Sequence, residues 1–299
     1  MANIKEPIEL TLKRVNDYRI VAKSEYRFIT TDFAIVDSFK QLDSSLFGIK
    51  RPYRMKEGRI IYVTSGWMHA SINLIEHNFH SGDVAIFSPD SIVEIIEYND
   101  DFDMKAIVIG KDFIQYTKVN DTLEHYITPR QNVKVVLNPK EQEQIEAYFS
   151  LIWSTVHESL FRREVVQNLT SALLFNISYI RKNNMRNLQT QLSHQEELFH
   201  RFIALVNKFS STERNVSFYA DRLYLTPRYL NTVIKQTSHQ TVMEWINQST
   251  IMEAKILLKH SNLLVYEISD RLNFANPSFF CKFFKKMTGI TPLTYQREK

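Results

Sequence analysis

One cysteine, Cys281, stands in 299 residues. A single thiol forms no internal disulfide and no thiolate cage around a metal, which points to a reducing cytosol. Glycine is scarce as well, at six residues. No two of them lie close enough for a G-x-G-x-x-G turn or a phosphate-cradling loop, so nucleotide-binding motifs of that kind are excluded. There is no G-x-S-x-G, which removes the usual nucleophile elbow. No run approaches 18 apolar residues, and no membrane span is expected. The opening Met1-Ala2-Asn3-Ile4-Lys5-Glu6 has no apolar core of a secretion signal.

What remains is an ordinary globular composition, 44% hydrophobic and 23% charged, long enough for about two domains. The formal net charge of +4 is unevenly placed. Residues 200–299 hold fourteen Lys and Arg against seven Asp and Glu, a net +7. The preceding 199 residues hold 23 basic and 26 acidic side chains, a net −3. A basic C-terminal third on a slightly acidic body suits a nucleic-acid-binding module attached to something else. A solvated basic face is the plainer explanation, and charge alone does not choose.

The first 110 residues read as β-structure. Arg59–Thr64 and Asp83–Phe87 are runs rich in β-branched residues bounded by turn residues, and Met68–Leu74 alternates apolar with polar. Gly48, Gly58, Gly66, Gly82 and Gly110 fall between or beside such runs. Short strands at this spacing predict a β-sandwich or small barrel. After Pro139 the period changes to that of helices, over about 140–159 (Ile145, Phe149, Ile152, Val156) and 163–182 (Val166, Leu169, Leu173, Ile177, Ile180). The second stripe either packs on the β-domain or forms a seam with its copy in a dimer; the stripe does not decide. The polar stretch around 181–195 marks a boundary. The expected organisation is therefore α+β: a β-rich regulatory domain (1–135), a helical dimerisation segment (136–184), a linker (185–199) and an all-α domain (200–299).

Beyond residue 200 lies an internal repeat. Ala220-Asp221-Arg222-Leu223 is echoed by Ser269-Asp270-Arg271-Leu272 at an offset of 49. Tyr229-Leu230, Val233-Ile234 and Lys235 are echoed by Phe279-Phe280, Phe283-Phe284 and Lys285 at an offset of 50, so the second copy has one extra residue in its turn. Each copy has the parts of a helix-turn-helix: a short helix (about 216–223 and 265–272), a turn, then Thr226-Pro227 or Asn276-Pro277 as N-cap and first helical residue. Leu230, Val233 and Ile234, and Phe280, Phe283, Phe284 and Met287, form the expected core sides. Arg228, Asn231, Thr232 and Lys235 share another side at i, i+3, i+4 and i+7, as do Ser278, Cys281, Lys282 and Lys285. Small polar and basic side chains on one helical stripe suit a helix reading base edges in a major groove. One such stripe is more often a solvated face; two on helices capped alike favour the reading helix. Between the copies, Thr241–Leu258 reads as one helix with Val242, Trp245, Ile246, Ile251, Ala254 and Leu258 inward. Its length, about 27 Å, would hold two recognition helices near one DNA turn apart, about 34 Å.

The runs Ile268–Phe274, Ser278–Phe280, Phe283–Pro292 and Tyr295-Gln296-Arg297 resemble the signature of AraC/XylS-type regulators, and Ala254 with Leu257-Leu258 in the strut fits it. The preceding part resembles, more loosely, a cupin-like effector-binding domain. The resemblance implies a bacterial cytoplasmic protein that binds double-stranded promoter DNA and contacts RNA polymerase. It places base contacts at Arg228, Asn231 and Thr232 in the first unit and at Pro277, Ser278, Cys281 and Lys282 in the second. Lys286 is expected to meet phosphate. The chain departs from the pattern at Tyr224 and Asn273, where glycine is usual in the turns, at His239, often glycine, and at Thr250, often arginine.

No metal or other cofactor is expected. His77 and His80, three apart, would face opposite sides of a strand, and His69 and His77 fall on different strands or on either side of a turn. Three readings stay open: a DNA-binding regulator with a small-molecule effector, acting as a homodimer; a regulator with no small ligand; and a cupin-type enzyme with a helical appendage.

Overall fold

The computed structural model describes residues 9–10, 12, 24–41, 48–110, 113, 134–187 and 193–297. The chain divides into two compact units, one of residues 10–50 and 54–191, the other of residues 192–299 together with 1–9 and 51–53.

In the N-terminal part of the chain the strands are β1 (Glu9–Leu10), β2 (Arg27–Ile29), β3 (Phe33–Val36), β4 (Pro52–Met55), β5 (Gly58–Ser65), β6 (Trp67–Ile72), β7 (Ile75–His80), β8 (Asp83–Phe87), β9 (Ser91–Tyr98), β10 (Asp103–Ile109) and β11 (Lys134–Val136). Among the described residues they form a five-stranded sheet, β1-β4-β9-β6-β7, and a six-stranded one, β11-β8-β5-β10-β3-β2. The alternation read in Met68–Leu74 is a strand only to Ile72. Asn73 and Leu74 both take positive φ (50° and 75°), and the tight turn they make pairs Ile72 with Ile75. Gly66, between β5 and β6, has φ +67°, and an added Cβ would lie 2.5 Å from the Phe102 amide nitrogen, so only glycine fits.

Two helices follow, α1 (Pro139–Val156) and α2 (Arg163–Asn187). Asn138 caps α1 reciprocally with Glu141, with Pro139 in the first turn. Ile145, Phe149, Ile152 and Val156 of α1 and Val166, Leu173, Leu174, Ile177 and Ile180 of α2 are buried with Phe33, Ile35, Ile60, Tyr62, Val84 and Ile107 of the six-stranded sheet. Ion pairs flank this core. Arg163 forks onto Asp32 in the β2–β3 turn, and Lys105 of β10 reaches Asp37 (3.0 Å) and Glu146 (2.6 Å). The α2 stripe expected either in this core or at a dimer seam therefore lies in the core. Leu173 is fully buried within its own protomer, so these residues are not a dimerisation surface, and 136–184 is part of the β-domain rather than a separate segment.

The linker expected at 185–199 also needs correction. Residues 185–187 complete α2, and α3 (His194–Phe209) starts inside the same stretch. Ser193 caps α3 with Glu196 reciprocally, while Leu198, Phe202, Ile203 and Val206 are buried on one face. Of the polar residues that suggested a linker, His194 and Gln195 lie exposed in the first turn of that helix, beside Glu196 and Glu197. Residues 188–192 lie outside the described ones.

The C-terminal unit continues with α4 (Val216–Arg222), α5 (Pro227–Ser238), α6 (Val242–His260), α7 (Val265–Arg271), α8 (Pro277–Thr288) and α9 (Pro292–Arg297). Thr241 and Glu244 cap α6. All six residues expected inward on this strut are buried, and so are Ser249, Thr250, Met252, Ile256 and Leu257. Thr250, with no exposed surface, has its hydroxyl within hydrogen-bond reach of Ile246 O and Ser210 O.

Candidate DNA-reading surface

The two helix-turn-helix units are built alike. At the end of α4, Leu225 N–H donates to Ala220 O and Tyr224 N–H to Asp221 O; at the end of α7, Phe274 N–H donates to Ser269 O and Asn273 N–H to Asp270 O. This is a left-handed helix stop, and the residue that makes it has φ 59° at Tyr224 and 54° at Asn273. Positive φ here explains why glycine is usual at both positions. Asparagine tolerates it; tyrosine does so at some cost in strain, with its ring in solvent (92% exposed).

Helices α5 and α8, the second helix of each unit, open as the sequence predicts. Thr226 Oγ1 accepts from Tyr229 N–H (3.2 Å), Asn276 Oδ1 accepts from Phe279 N–H (3.0 Å), and a proline follows each cap. They close on His239 (φ 59°) and Gly289 (φ 83°), each donating its N–H four residues back, to Lys235 O and Lys285 O. His239 thus replaces the usual glycine in the same left-handed conformation. Leu230, Val233 and Ile234 hold α5 to the core; Phe280 and Phe284 hold α8, with Phe283 half-buried beside them. Met287, expected inward, is 38% exposed, because the last turn of α8 runs past the core cluster.

On the outer faces Arg228, Thr232 and Lys235 are exposed and Asn231 half-exposed. Pro277, Ser278, Lys282, Lys285 and Lys286 are exposed and Cys281 half-exposed. Neither helix contains an acidic residue, so every charge it carries is positive, with Glu244 of α6 near Lys235. Asn231 Nδ2 donates to Pro227 O (3.1 Å) and Thr232 Oγ1 to Arg228 O (3.0 Å), so both side chains are folded onto their own helix. Reading a base would exchange those bonds for bonds to the groove. Tyr229 and Phe279, equivalent in the repeat, are 47% and 58% exposed beside these stripes. The sequence showed them as repeat echoes, without any sign that they face solvent.

The histidines of the N-terminal unit do not converge. His77 pairs with Ala70 across the β6–β7 hairpin and His69 with Asn78, which puts the two rings on opposite faces. His69 Nε2 lies 3.0 Å from Glu76 Oε2, and His80 meets Asp83. Burial lowers the pKa of His77, with Lys134 adding to the effect. Among the described residues no three His, Cys, Asp or Glu side chains gather as metal ligands. No helix among them is long and apolar enough to cross a membrane.

The described helices beyond residue 193 thus include two helix-turn-helix units of like construction. Residues 219–298 match the family model described as a helix-turn-helix domain. PocR, a regulatory protein of Salmonella typhimurium, is 30% identical over 79 residues, 26% of each chain. The activator RhaR of Cronobacter sakazakii is 21% identical over 259 residues, 83% of this chain and 78% of RhaR. The matched part thus spans about a quarter of PocR but most of RhaR. The solved DNA-binding domain of the global transcriptional factor AdpA, in complex with a target DNA, is 20% identical with a TM-score of 0.31, covering 33% of this chain and 88% of that one. Residues 219–298 thus carry a helix-turn-helix domain similar to that of transcription regulators such as PocR and RhaR.

Proposed function

We propose that this regulator binds promoter DNA sequence-specifically, setting α5 and α8 into successive major grooves. The carrying observation is the duplicated surface: two helices capped alike, each with a polar and basic stripe and no acid, joined by a 19-residue helix about 28 Å long. Arg228 is the residue best suited to a guanine edge, with Asn231, Thr232 and Lys235 beside it. In the second unit Pro277, Ser278 and Cys281 offer shape and apolar contact, and Lys282, Lys285 and Lys286 offer phosphate contacts. RNA polymerase is the further partner this role requires.

The N-terminal unit is the regulatory part. Arg27 Nη1 and Glu57 Oε2 are buried with no hydrogen-bond partner among the described residues. Strand register puts Arg27 in one row with Val36, Ala106 and Ile61, on the sheet face opposite α1 and α2. A buried donor lacking an acceptor costs about 1–3 kcal/mol, which supports a small effector bearing an acceptor group. Homodimerisation, with the α2 stripe committed to the core, falls to the outer face of the same helix. Val165, Asn168, Ala172, Phe175 and Tyr179 recur there at alternating spacings of three and four, and Val165, Phe175 and Tyr179 are exposed.

Genomic binding-site mapping followed by anisotropy titrations tests the reading. Affinity should fall steeply with salt. Arg228→Ala should cost about 1–3 kcal/mol on the recovered site and little on random DNA. Lys286→Ala should weaken both alike. Equal losses by both variants on both DNAs would overturn the assignment of the reading stripe.

A further inference from the structure

Among the described residues the two helix-turn-helix units are joined by α6, which is visible in the sequence, and by a second attachment that is not. The second is a bracket between the Thr212–Asn215 loop, which precedes α4, and the turn after α7. Arg214 Nη2 donates to Leu272 O, a carbonyl at the end of α7, where a cation is favoured. The same guanidinium lies over the Phe274 ring, its central carbon 3.6 Å from the ring centre. Asn273 Nδ2 donates back to Thr212 O at 2.9 Å. Burial lowers the pKa of Arg214, and a guanidinium stays protonated in proteins.

Each end of the bracket is anchored in the core of its own unit. On the first side, Tyr219, fully buried against Phe202 and Phe218, donates its hydroxyl to Glu213 O at 2.7 Å. Asn215 caps α4 by accepting from Ser217 N–H. On the second side, Phe274 packs on Phe280 and Phe283 of α8, with ring centres 5.2 and 5.3 Å apart. A path of direct contacts therefore runs from the first unit to the second recognition helix without passing through α6. Asn273 belongs to this path because it departs from the family's glycine: it keeps the left-handed turn and adds an arm. Its repeat equivalent, Tyr224, is 92% exposed.

We propose that Arg214 and Asn273 are positioning residues that lock the angle and separation of the two recognition helices, and so set the spacing between the two base sequences the protein accepts. The proposal rests on the reading of α5 and α8 as DNA-reading helices. One helical strut lets two small domains rock about its length; a second attachment off that axis removes the rocking. Arranged before binding, the pair meets two grooves without an ordering cost, and it resists any site in which the grooves are displaced. One inserted base pair displaces them by about 3.4 Å and about a tenth of a turn.

The test uses the full chain, its mapped site, and two altered sites with one base pair added or removed between the segments facing α5 and α8. Wild-type affinity should drop about a hundredfold on the altered sites, comparable to one or two lost base contacts. Asn273→Gly keeps the backbone conformation, and Asn273→Asp keeps size and turn while removing the donor. Both variants, and Arg214→Ala more strongly, should bind the native site up to about tenfold more weakly and show a spacing penalty below about tenfold, with Asn273→Gly retaining its melting profile. If Arg214→Ala does not fold, the two Asn273 variants decide. Retention of the full wild-type spacing penalty by them overturns the bracket while leaving DNA reading intact. Failure of the wild-type chain to bind any DNA overturns both.

Discussion

Leu173 separates the two roles that the α2 stripe could have had. It is fully buried in a cluster that includes α1 and the six-stranded sheet. Leu173→Ala removes three carbons from a site with neighbours on all sides, and such truncations cost about 2–5 kcal/mol, part transfer and part residual cavity. For a unit of this size each kcal/mol lowers the midpoint by about 2–4 °C, so a central 3 kcal/mol gives about 6–12 °C. Calorimetry and urea titration should show this loss in the N-terminal unit, at unchanged subunit association above the folded limit. Phe175→Glu with Tyr179→Glu alters side chains that are 44% and 64% exposed. That double variant should cost under about 1 kcal/mol of stability and move the sedimentation of a dimer toward monomer. Leu173→Ala leaving the midpoint within about 1 °C while dissociating the protein would refute the burial argument.

Two further outcomes follow from individual residues. The Arg163 hydrogen bonds to Asp32 hold its carboxyl below the ordinary carboxylate value of 3.8, against a smaller opposing effect of burial. The pair therefore adds stability that is complete above about pH 4 and is lost as pH falls through the depressed folded-state value. Arg163→Met should lower the urea midpoint at pH 6 and flatten its decline below pH 4; an unchanged acid limb would show that Asp32 does not contribute. Cys281, the sole thiol, lies half-exposed on the outer side of α8, so cognate DNA should slow its alkylation severalfold and random DNA at high salt should not. Equal rates with and without bound DNA would remove Cys281 from the groove-facing surface.

What the sequence made legible was local. The caps at Thr226 and Asn276, the prolines after them, and the repeated core positions are short-range patterns, and the helices start where those patterns put them. The strands at Arg59–Thr64 and Asp83–Phe87 were readable from β-branched runs for the same reason. The errors came from questions that periodicity does not answer. A stripe such as Val166–Ile180 reports that something covers it, not whether the cover is a sheet of the same chain or a second copy. Met287 continues the spacing of Phe280 and Phe284, but the helix outlasts its core. The Ser193–Glu196 capping box opens α3 in a stretch whose polarity looks like a linker. Arg214 and Leu272 are 58 residues apart, and nothing near either one announces the other.

Under the proposed reading the two units do not share the work equally, and the bracket explains how such an arrangement can still be selective. The first unit presents Arg228, a fork that can take two acceptors of one guanine, with Asn231 and Thr232 held on the helix until DNA competes for them. The second presents a proline, a serine, a thiol and three lysines, groups that discriminate shape and charge better than donor–acceptor pattern. A weak reader that is free to move would add affinity to any sequence and dilute selectivity. Held at a fixed distance from Arg228, it adds affinity only where a groove of suitable shape lies one turn away. Spacing then becomes part of the sequence information, carried by Asn273 and Arg214, neither of which belongs to the stripes that face DNA.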